Sequence, residues 1–224
     1  MTKKNRLLEH LLGIINDDRC RLLQQVVDQR TRYLTVVLEN IYQPQNASAV
    51  MRTMECMGIQ DLYTIENDNA YRINPDVVQG ASKWITLKRF NENKNGNTDH
   101  CLKQLKENGY KIVAMTLNEK SIPVDQLPVS AKLALCFGEE DRGLSDEAHK
   151  LADYHVSIPM VGFTQSFNLS VSAAISLSYL CNKLKISSAE WQLSEKEKTE
   201  LMVDWLVKST PTGESIKQHF LETH

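Results

Sequence analysis

Apolar residues recur at helical spacing near the start of the chain, where Leu7, Leu8, Leu11, Leu12, Ile14 and Ile15 precede Leu22, Leu23, Val26 and Val27. That spacing predicts two short amphipathic helices. From Tyr33 the pattern changes to Leu34, Thr35, Val36, Val37 and Leu38, an apolar, β-branched run of the kind that makes a fully buried strand. Further strands are predicted at 62–65, 84–90, 112–117, 133–137 and 156–160. Between most of them lie helical patterns, at about 47–57, 99–108, 146–152 and 169–184, the first two stopped by Gly58 and Gly109. This alternation predicts an α/β domain on a mostly parallel sheet with helices on both faces.

The stretch 91–98, rich in Asn, Lys and Gly, reads as an exposed loop inside the domain. Near the end, Ser194 with Glu197 three residues on forms a capping-box pattern. It opens a helix with Leu201, Met202, Trp205 and Leu206 on one face, and Pro211 interrupts it. The organisation expected is a helical extension at 1–32, a main domain at 33–185 and a second helical extension at 186–224.

Composition narrows the function classes. There is no apolar run long enough to span a membrane, and the charged opening Lys3, Lys4, Asn5, Arg6 is unlike a secretory signal. A cytoplasmic protein with no membrane partner is expected. The five cysteines, Cys20, Cys56, Cys101, Cys136 and Cys181, have no paired spacing, so buried free thiols are expected rather than disulfides or a zinc site. No histidine pair has ligand spacing, so no metal is expected. A formal charge of −2 shows no excess of cations for a nucleic-acid partner. Its distribution is uneven, however, with Lys3, Lys4, Arg6, Arg19, Arg21, Arg30 and Arg32 early and acids such as Glu195, Glu197 and Glu200 late.

Three segments place polar residues where a strand leaves the sheet, the position at which open α/β folds form their ligand crevice. The first runs from Glu39 through Asn46 to Arg52 and Thr53. Asn46 suits a helix cap, and Arg52 reads either as a solvated surface cation or, beside the small residues Ala47, Ser48 and Ala49, as a phosphate or ribose ligand. The second runs from Leu135 through Gly138, Glu139, Glu140, Asp141, Arg142 and Gly143 to Ser145. Gly138 permits close approach to the main chain, and of the adjacent carboxylates one is expected to orient a partner while the other is exposed. The third runs from Ser157 to Ser172, an apolar glycine loop carrying Ser166, Asn168, Ser170 and Ser172, with Asn168 again placed as a cap. The chain has no Gly-x-Gly-x-x-Gly turn, no phosphate loop and no Gly-x-Ser-x-Gly elbow. Ordinary dinucleotide, nucleoside-triphosphate and serine-hydrolase readings are therefore disfavoured.

Taken in order, Asn46 to Thr53, Phe137 to Ser145, and Ile158 to Ser170 resemble the three signature motifs of the SpoU/TrmH branch of the SPOUT methyltransferases. The resemblance implies a sheet whose C-terminal part is tied in a trefoil knot, a homodimer with its site at the subunit interface, and S-adenosylmethionine as methyl donor. It places the cofactor against Met115, Thr116, Leu117, Gly138, Glu139, Ile158, Met160, Phe167 and Leu169. Phe167 departs from the aliphatic residue common in relatives. The implied reaction is 2′-O-methylation of RNA ribose, with Arg52, Asn46, Glu139, Ser166 and Asn168 as the catalytic group. A guanidinium stays charged at any ordinary pH, so Arg52 suits phosphate binding and stabilisation of the emerging alkoxide better than proton abstraction. Asn46, Glu139, Ser166 and Asn168 would then hold Arg52 and the ribose by hydrogen bonds.

With only about thirty residues ahead of the first strand, no separate RNA-binding domain is expected there, which favours tRNA as substrate. The short helical extensions are similar to those of family members that methylate the D-loop guanosine at tRNA position 18. The wobble ribose of tRNA and ribosomal RNA are the competing targets. A reading from a different class is an RNA-binding protein that keeps the fold without turnover.

Overall fold

The computed structural model describes residues 3–92, 96–118 and 120–223, which fall into two compact units. In the larger, Arg32–Trp191, the strands are β1 (Leu34–Glu39), β2 (Asp61–Ile65), β3 (Thr86–Phe90), β4 (Tyr110–Met115), β5 (Ile122–Pro123), β6 (Lys132–Phe137) and β7 (Tyr154–Ser157). They form one sheet in the order β3-β2-β1-β6-β4-β7-β5, parallel at every pairing. The helices of this unit are α3 (Pro44–Cys56), α4 (Pro75–Val78), α5 (Asn97–Glu107), α6 (Asp146–Leu151) and α7 (Leu169–Lys185).

The expected helices on both faces follow from how β1 divides its side chains. Leu34, Val36 and Leu38 pack with Val50 and Met54 of α3 and with Leu177 and Leu180 of α7. Val37 goes to the other face, with Leu102 and Leu105 of α5 and Ala148 of α6. Burying each such side chain stabilises the fold by roughly 1.5–3 kcal/mol, and a strand covered on both faces shows no polar alternation. All six residues of β1 are indeed buried.

Several boundaries differ from the sequence expectation. α3 starts at Pro44, not near Ala47, because proline suits the first helical turn and Gln43 takes the cap position. Asn46 is thus inside the helix and does not cap it. β7 runs from Tyr154 to Ser157 and not to Met160, since Pro159 has no N–H for a ladder. β4 ends at Met115, leaving Thr116 and Leu117 beyond the sheet. β3 begins at Thr86, after a 3₁₀ turn at Ala81–Lys83. Of the loop expected at 91–98, residues 93–95 lie outside the described residues, while Asn97 and Thr98 are buried in the first turn of α5. Cys101, Cys136 and Cys181 are buried free thiols as expected, but Cys56 is exposed. Burial pushes the Cys181 thiol up to about 11.

The smaller unit comprises the described residues up to Thr31 and from Gln192 onward. Its helices are α1 (Lys3–Leu12), α2 (Asp17–Val27), α8 (Glu195–Ser209) and α9 (Gly213–Thr223), with α1, α2 and α9 each packed on α8. Ser194 and Glu197 make the full capping box that opens α8. Trp205 is buried, with the buried Arg30 guanidinium 5.2 Å from its ring centre. The pattern at the end of the chain predicted α8 but not α9, which starts beyond Pro211. Among the described residues no helix is long and apolar enough to cross a membrane, and no cluster of three or more His, Cys, Asp or Glu could hold a metal ion.

At the carboxyl edge of β2 a buried carboxylate ties three segments together. Glu66 accepts from Arg89 Nε at 2.7 Å and Nη2 at 2.6 Å, from the Tyr71 amide at 3.0 Å and from the Thr64 hydroxyl at 3.0 Å. Burial pushes its carboxyl up, but the Arg89 pair and the two other donors outweigh that and hold it below the ordinary value. Because the folded value is the lower one, the contribution is complete above the unfolded value of ~4.3 and disappears as pH falls through the folded one. Urea unfolding of wild type and Glu66→Gln across pH 3–7 should therefore show a stability gap that narrows on acidification; a gap independent of pH would contradict it.

Candidate functional site

Three parallel strands deliver their carboxyl ends to one place. β4 hands over to Thr116, whose amide donates to Val156 O at 2.9 Å, and then to Leu117. β7 passes through Ser157 and Ile158 to Pro159, and residues 161–168 are exposed before α7 begins. Asn168 caps that helix, its Oδ1 accepting from the Ser170 amide at 2.9 Å and hydroxyl at 2.6 Å.

The end of β6 is the most constrained. A Cβ on Gly138 would lie 2.1 Å from Gly143 C, 2.2 Å from its O and 2.3 Å from Leu144 N. What approaches Gly138 is thus the chain's own backbone, folded back so that the Gly143 amide donates to Glu139 O at 2.8 Å. The fold-back is anchored from β1. The buried Glu39 carboxylate accepts from the Ser145 amide at 2.9 Å, the Ser145 hydroxyl at 2.8 Å and the Thr98 hydroxyl at 2.6 Å. Ser145 in turn caps α6.

These ends enclose a cavity of about 360 Å3. All nine residues expected to touch a cofactor, Met115, Thr116, Leu117, Gly138, Glu139, Ile158, Met160, Phe167 and Leu169, line it. So do Asn46, Ser166 and Asn168 from the expected catalytic group. Arg52 does not. It is exposed, outside the lining, and has no side-chain hydrogen bond or ion pair to any described residue.

The hydrogen bonds also run differently from expectation. Asn168 Nδ2 donates to Asn46 Oδ1 at 3.1 Å, while Asn46 Nδ2 donates to Glu140 Oε1 at 2.7 Å and Gln43 Oε1 at 3.2 Å. The carboxylate held in this chain is Glu140, not Glu139, which makes a loose ion pair with Arg142 at 4.0 Å. Ser166 takes no part in the network. The expected hydrogen bonds from Asn46, Glu139, Ser166 and Asn168 to Arg52 are not made within this chain, because Arg52 lies beyond the turn of α3 that faces the cavity. Glu140 and Ser172, both part of the sequence-read loops, also line the cavity, as does Gln43, which the sequence pattern does not single out. Consecutive carboxylates in a turn diverge, so the Glu139–Glu140 pair alone left the choice open.

The cavity wall is mixed. Leu117, Ile158, Met160, Phe167 and Leu169 offer apolar contact, Thr116, Ser157 and Gly138 bring polar groups and bare main chain, and Glu139 and Glu140 supply negative charge. Such a wall suits a ligand with an aromatic heterocycle, hydroxyls and a positive centre.

The sequence profile of the SpoU rRNA Methylase family matches residues 33–178. A tRNA (guanosine(18)-2′-O)-methyltransferase of Borreliella burgdorferi is 44% identical over 87% of each chain. An enzyme of the same name from Thermus thermophilus is 29% identical over 85% of this chain and 96% of its own. The TrmH/SpoU tRNA modifying enzyme of Aquifex aeolicus superposes with a TM-score of 0.76 at 28% identity, covering 87% of this chain and 98% of that one.

Proposed function

Because this chain belongs to the SpoU rRNA methylase family, we propose that it is an S-adenosylmethionine-dependent 2′-O-methyltransferase acting on the guanosine at position 18 of tRNA. The observation that carries the reading is the convergence of the β4, β6 and β7 ends on one cavity, with the Asn168–Asn46–Glu140 chain along its lining. The names of the relatives, matched over most of their length, support the substrate.

S-adenosylmethionine supplies an already activated methyl on a sulfonium, so the task left to the protein is chiefly positioning. Leu117, Ile158, Met160 and Leu169 hold the adenosyl part by apolar contact, and Gly138, by admitting the folded-back backbone of Gly143 and Leu144, shapes the wall beside it. The carboxylates of Glu139 and Glu140 favour the positive centre. Asn46, fixed between Asn168 and Glu140, orients the ribose. Arg52 holds the substrate phosphate and stabilises the oxygen that gains negative charge as its proton leaves to phosphate or water.

Since Arg52 stands outside its own chain's cavity, it serves the cavity of a second copy, and the working species is a homodimer. Exposed apolar residues on and before α7, Phe163, Val171 and Tyr179 among them, support that pairing. In this reading the segment from Gly138 to Asn168 forms the trefoil knot, residues 33–185 are the catalytic domain, and the terminal helices meet RNA in the cytoplasm.

The test is incubation of purified protein with labelled cofactor and bulk tRNA, followed by mapping of any ribose that resists alkaline cleavage. Label at position 18 is the expected result. Label at the wobble ribose or only in ribosomal RNA overturns the substrate, and RNA binding without label overturns the activity. Glu140→Gln should lower kcat by roughly tenfold or more, through loss of a charge-assisted hydrogen bond to Asn46, whereas Glu139→Gln should act mainly on cofactor affinity. The reverse pattern in steady-state kinetics would return the orienting role to Glu139.

A further inference from the structure

A second groove, of about 740 Å3, lies beside the cavity and is lined by Tyr42, Gln43, Gln45, Asp68, Asn69 and Arg72 among others. Gln43 lines both spaces, so the groove and the cavity are neighbours on either side of one side chain. Its wall is built rather than loose. Asn40, at a left-handed φ of 54°, accepts through Oδ1 from the Asn67 amide at 2.8 Å and the Asp68 amide at 3.0 Å. Asn69 Nδ2 donates back to Asn40 O at 2.8 Å. A non-glycine residue at positive φ is uncommon, and these three bonds, with the Asn40 amide donating to Ile65 O at 2.8 Å, hold it there.

Two of the groups this wall presents are uncommitted. Tyr42 is 71% exposed, and Tyr42 and Arg72 make no side-chain hydrogen bond or ion pair to any described residue. Asp68 and Arg72 line the same groove yet form no ion pair with each other. A free aromatic face, a free guanidinium, amide side chains and one carboxylate are the groups that recognise an unstacked nucleotide. The ring stacks on the base, the guanidinium meets a phosphate, and a carboxylate accepts from N–H groups on a base edge. A simple anion would leave Tyr42 unused, and an apolar peptide would leave Arg72 and Asp68 unpaired.

We propose that this groove takes the nucleotide next to the methylated ribose, with its base on Tyr42, its phosphate at Arg72 and an N–H edge at Asp68. This rests on the RNA methyl-transfer reading above, and it adds where the neighbouring residue of the RNA is held.

The experiment compares wild type with Tyr42→Ala, Tyr42→Phe and Arg72→Ala, in methyl transfer to tRNA and in filter binding over a range of salt. All three substitutions are at exposed positions that support no core packing. Tyr42→Ala is expected to raise KM for tRNA by roughly tenfold with kcat and cofactor affinity nearly unchanged, and Tyr42→Phe to restore it. Arg72→Ala should lower the slope of log affinity against log salt by about 1. Unchanged KM and salt slope in these variants would overturn the proposal. So would loss of the dimer by Tyr42→Ala in light scattering, which would make the groove a subunit contact. If wild type transfers no methyl to any RNA, the enzymatic reading fails on its own. The filter-binding arm still decides the groove: weaker RNA binding by Tyr42→Ala supports it, and equal binding overturns it.

Discussion

Arg52→Ala should abolish methyl transfer, by ~10²–10³-fold or more in kcat, while leaving cofactor affinity as in wild type. The expectation comes from chemistry and placement together. A ribose hydroxyl is a poor nucleophile until its developing negative charge meets a fixed positive one, and among the described residues the cavity lining contains no Lys or Arg. Its charged members, Glu139 and Glu140, have the wrong sign for an alkoxide or a phosphate. Arg52 is the cation on α3, the helix that also carries Asn46, and it is exposed with no partner among the described residues. If it acts across a subunit boundary, a mixture of Arg52→Ala and Asn168→Ala chains should complement. Each mixed dimer would own one site with an intact cavity from one chain and an intact Arg52 from the other. Equal mixing would then recover about one quarter of the wild-type rate, given random symmetric pairing. No recovery would place Arg52 in its own chain's site through some rearrangement, and a fully active Arg52→Ala would remove it from the mechanism.

The parts of this fold that the sequence displays well are those whose physics is local. Buried parallel strands need unbroken apolar, β-branched runs, so β1, β2 and β6 were legible to within a residue or so. The capping box at Ser194 and Glu197 is likewise local, as is the cap that Asn168 makes at the start of α7. Elements with weak periodic signal were missed: β5 is two residues long, α4 is four, and α9 begins just after the break at Pro211. Where two local signals compete, the wrong one can be chosen. Asn46 looks like a cap, but Pro44 starts the helix two residues earlier, which moves Asn46 inside and frees its amide for Glu140 and Asn168. The choice between Glu139 and Glu140 depends on a contact 94 residues apart in sequence, to Asn46, and no turn pattern contains that information. Arg52 was visible as a residue type in the right segment. Its place outside the cavity lining was not, because that depends on how α3 is set against the strand ends, which local spacing does not fix.

Gly138→Ala is the second substitution expected to be severe, and it isolates the turn that shapes the cavity. The new methyl would sit 2.1–2.3 Å from backbone atoms of Gly143 and Leu144, and backbone cannot rotate aside as a flexible side chain can. Either the fold-back opens or β6 shifts, and both disturb the two bonds that flank the turn, Ser145 to Glu39 and Asn46 to Glu140. A loss of several kcal/mol of stability, about 3 or more, is expected, together with loss of measurable cofactor binding. Two other glycines lining or near the cavity give a graded comparison. Gly143 has open space for a Cβ but a φ of 72°, so Gly143→Ala should cost about 1 kcal/mol through backbone strain alone. Gly162, in the exposed loop before α7, has nothing within 4 Å and no positive φ, so Gly162→Ala should be close to neutral. Urea unfolding and calorimetric titration with S-adenosylmethionine should therefore rank the three as Gly138, Gly143, Gly162 in order of damage. Normal cofactor affinity in Gly138→Ala would mean that the turn does not form the cavity floor, and the account of how β6 builds the site would have to be abandoned.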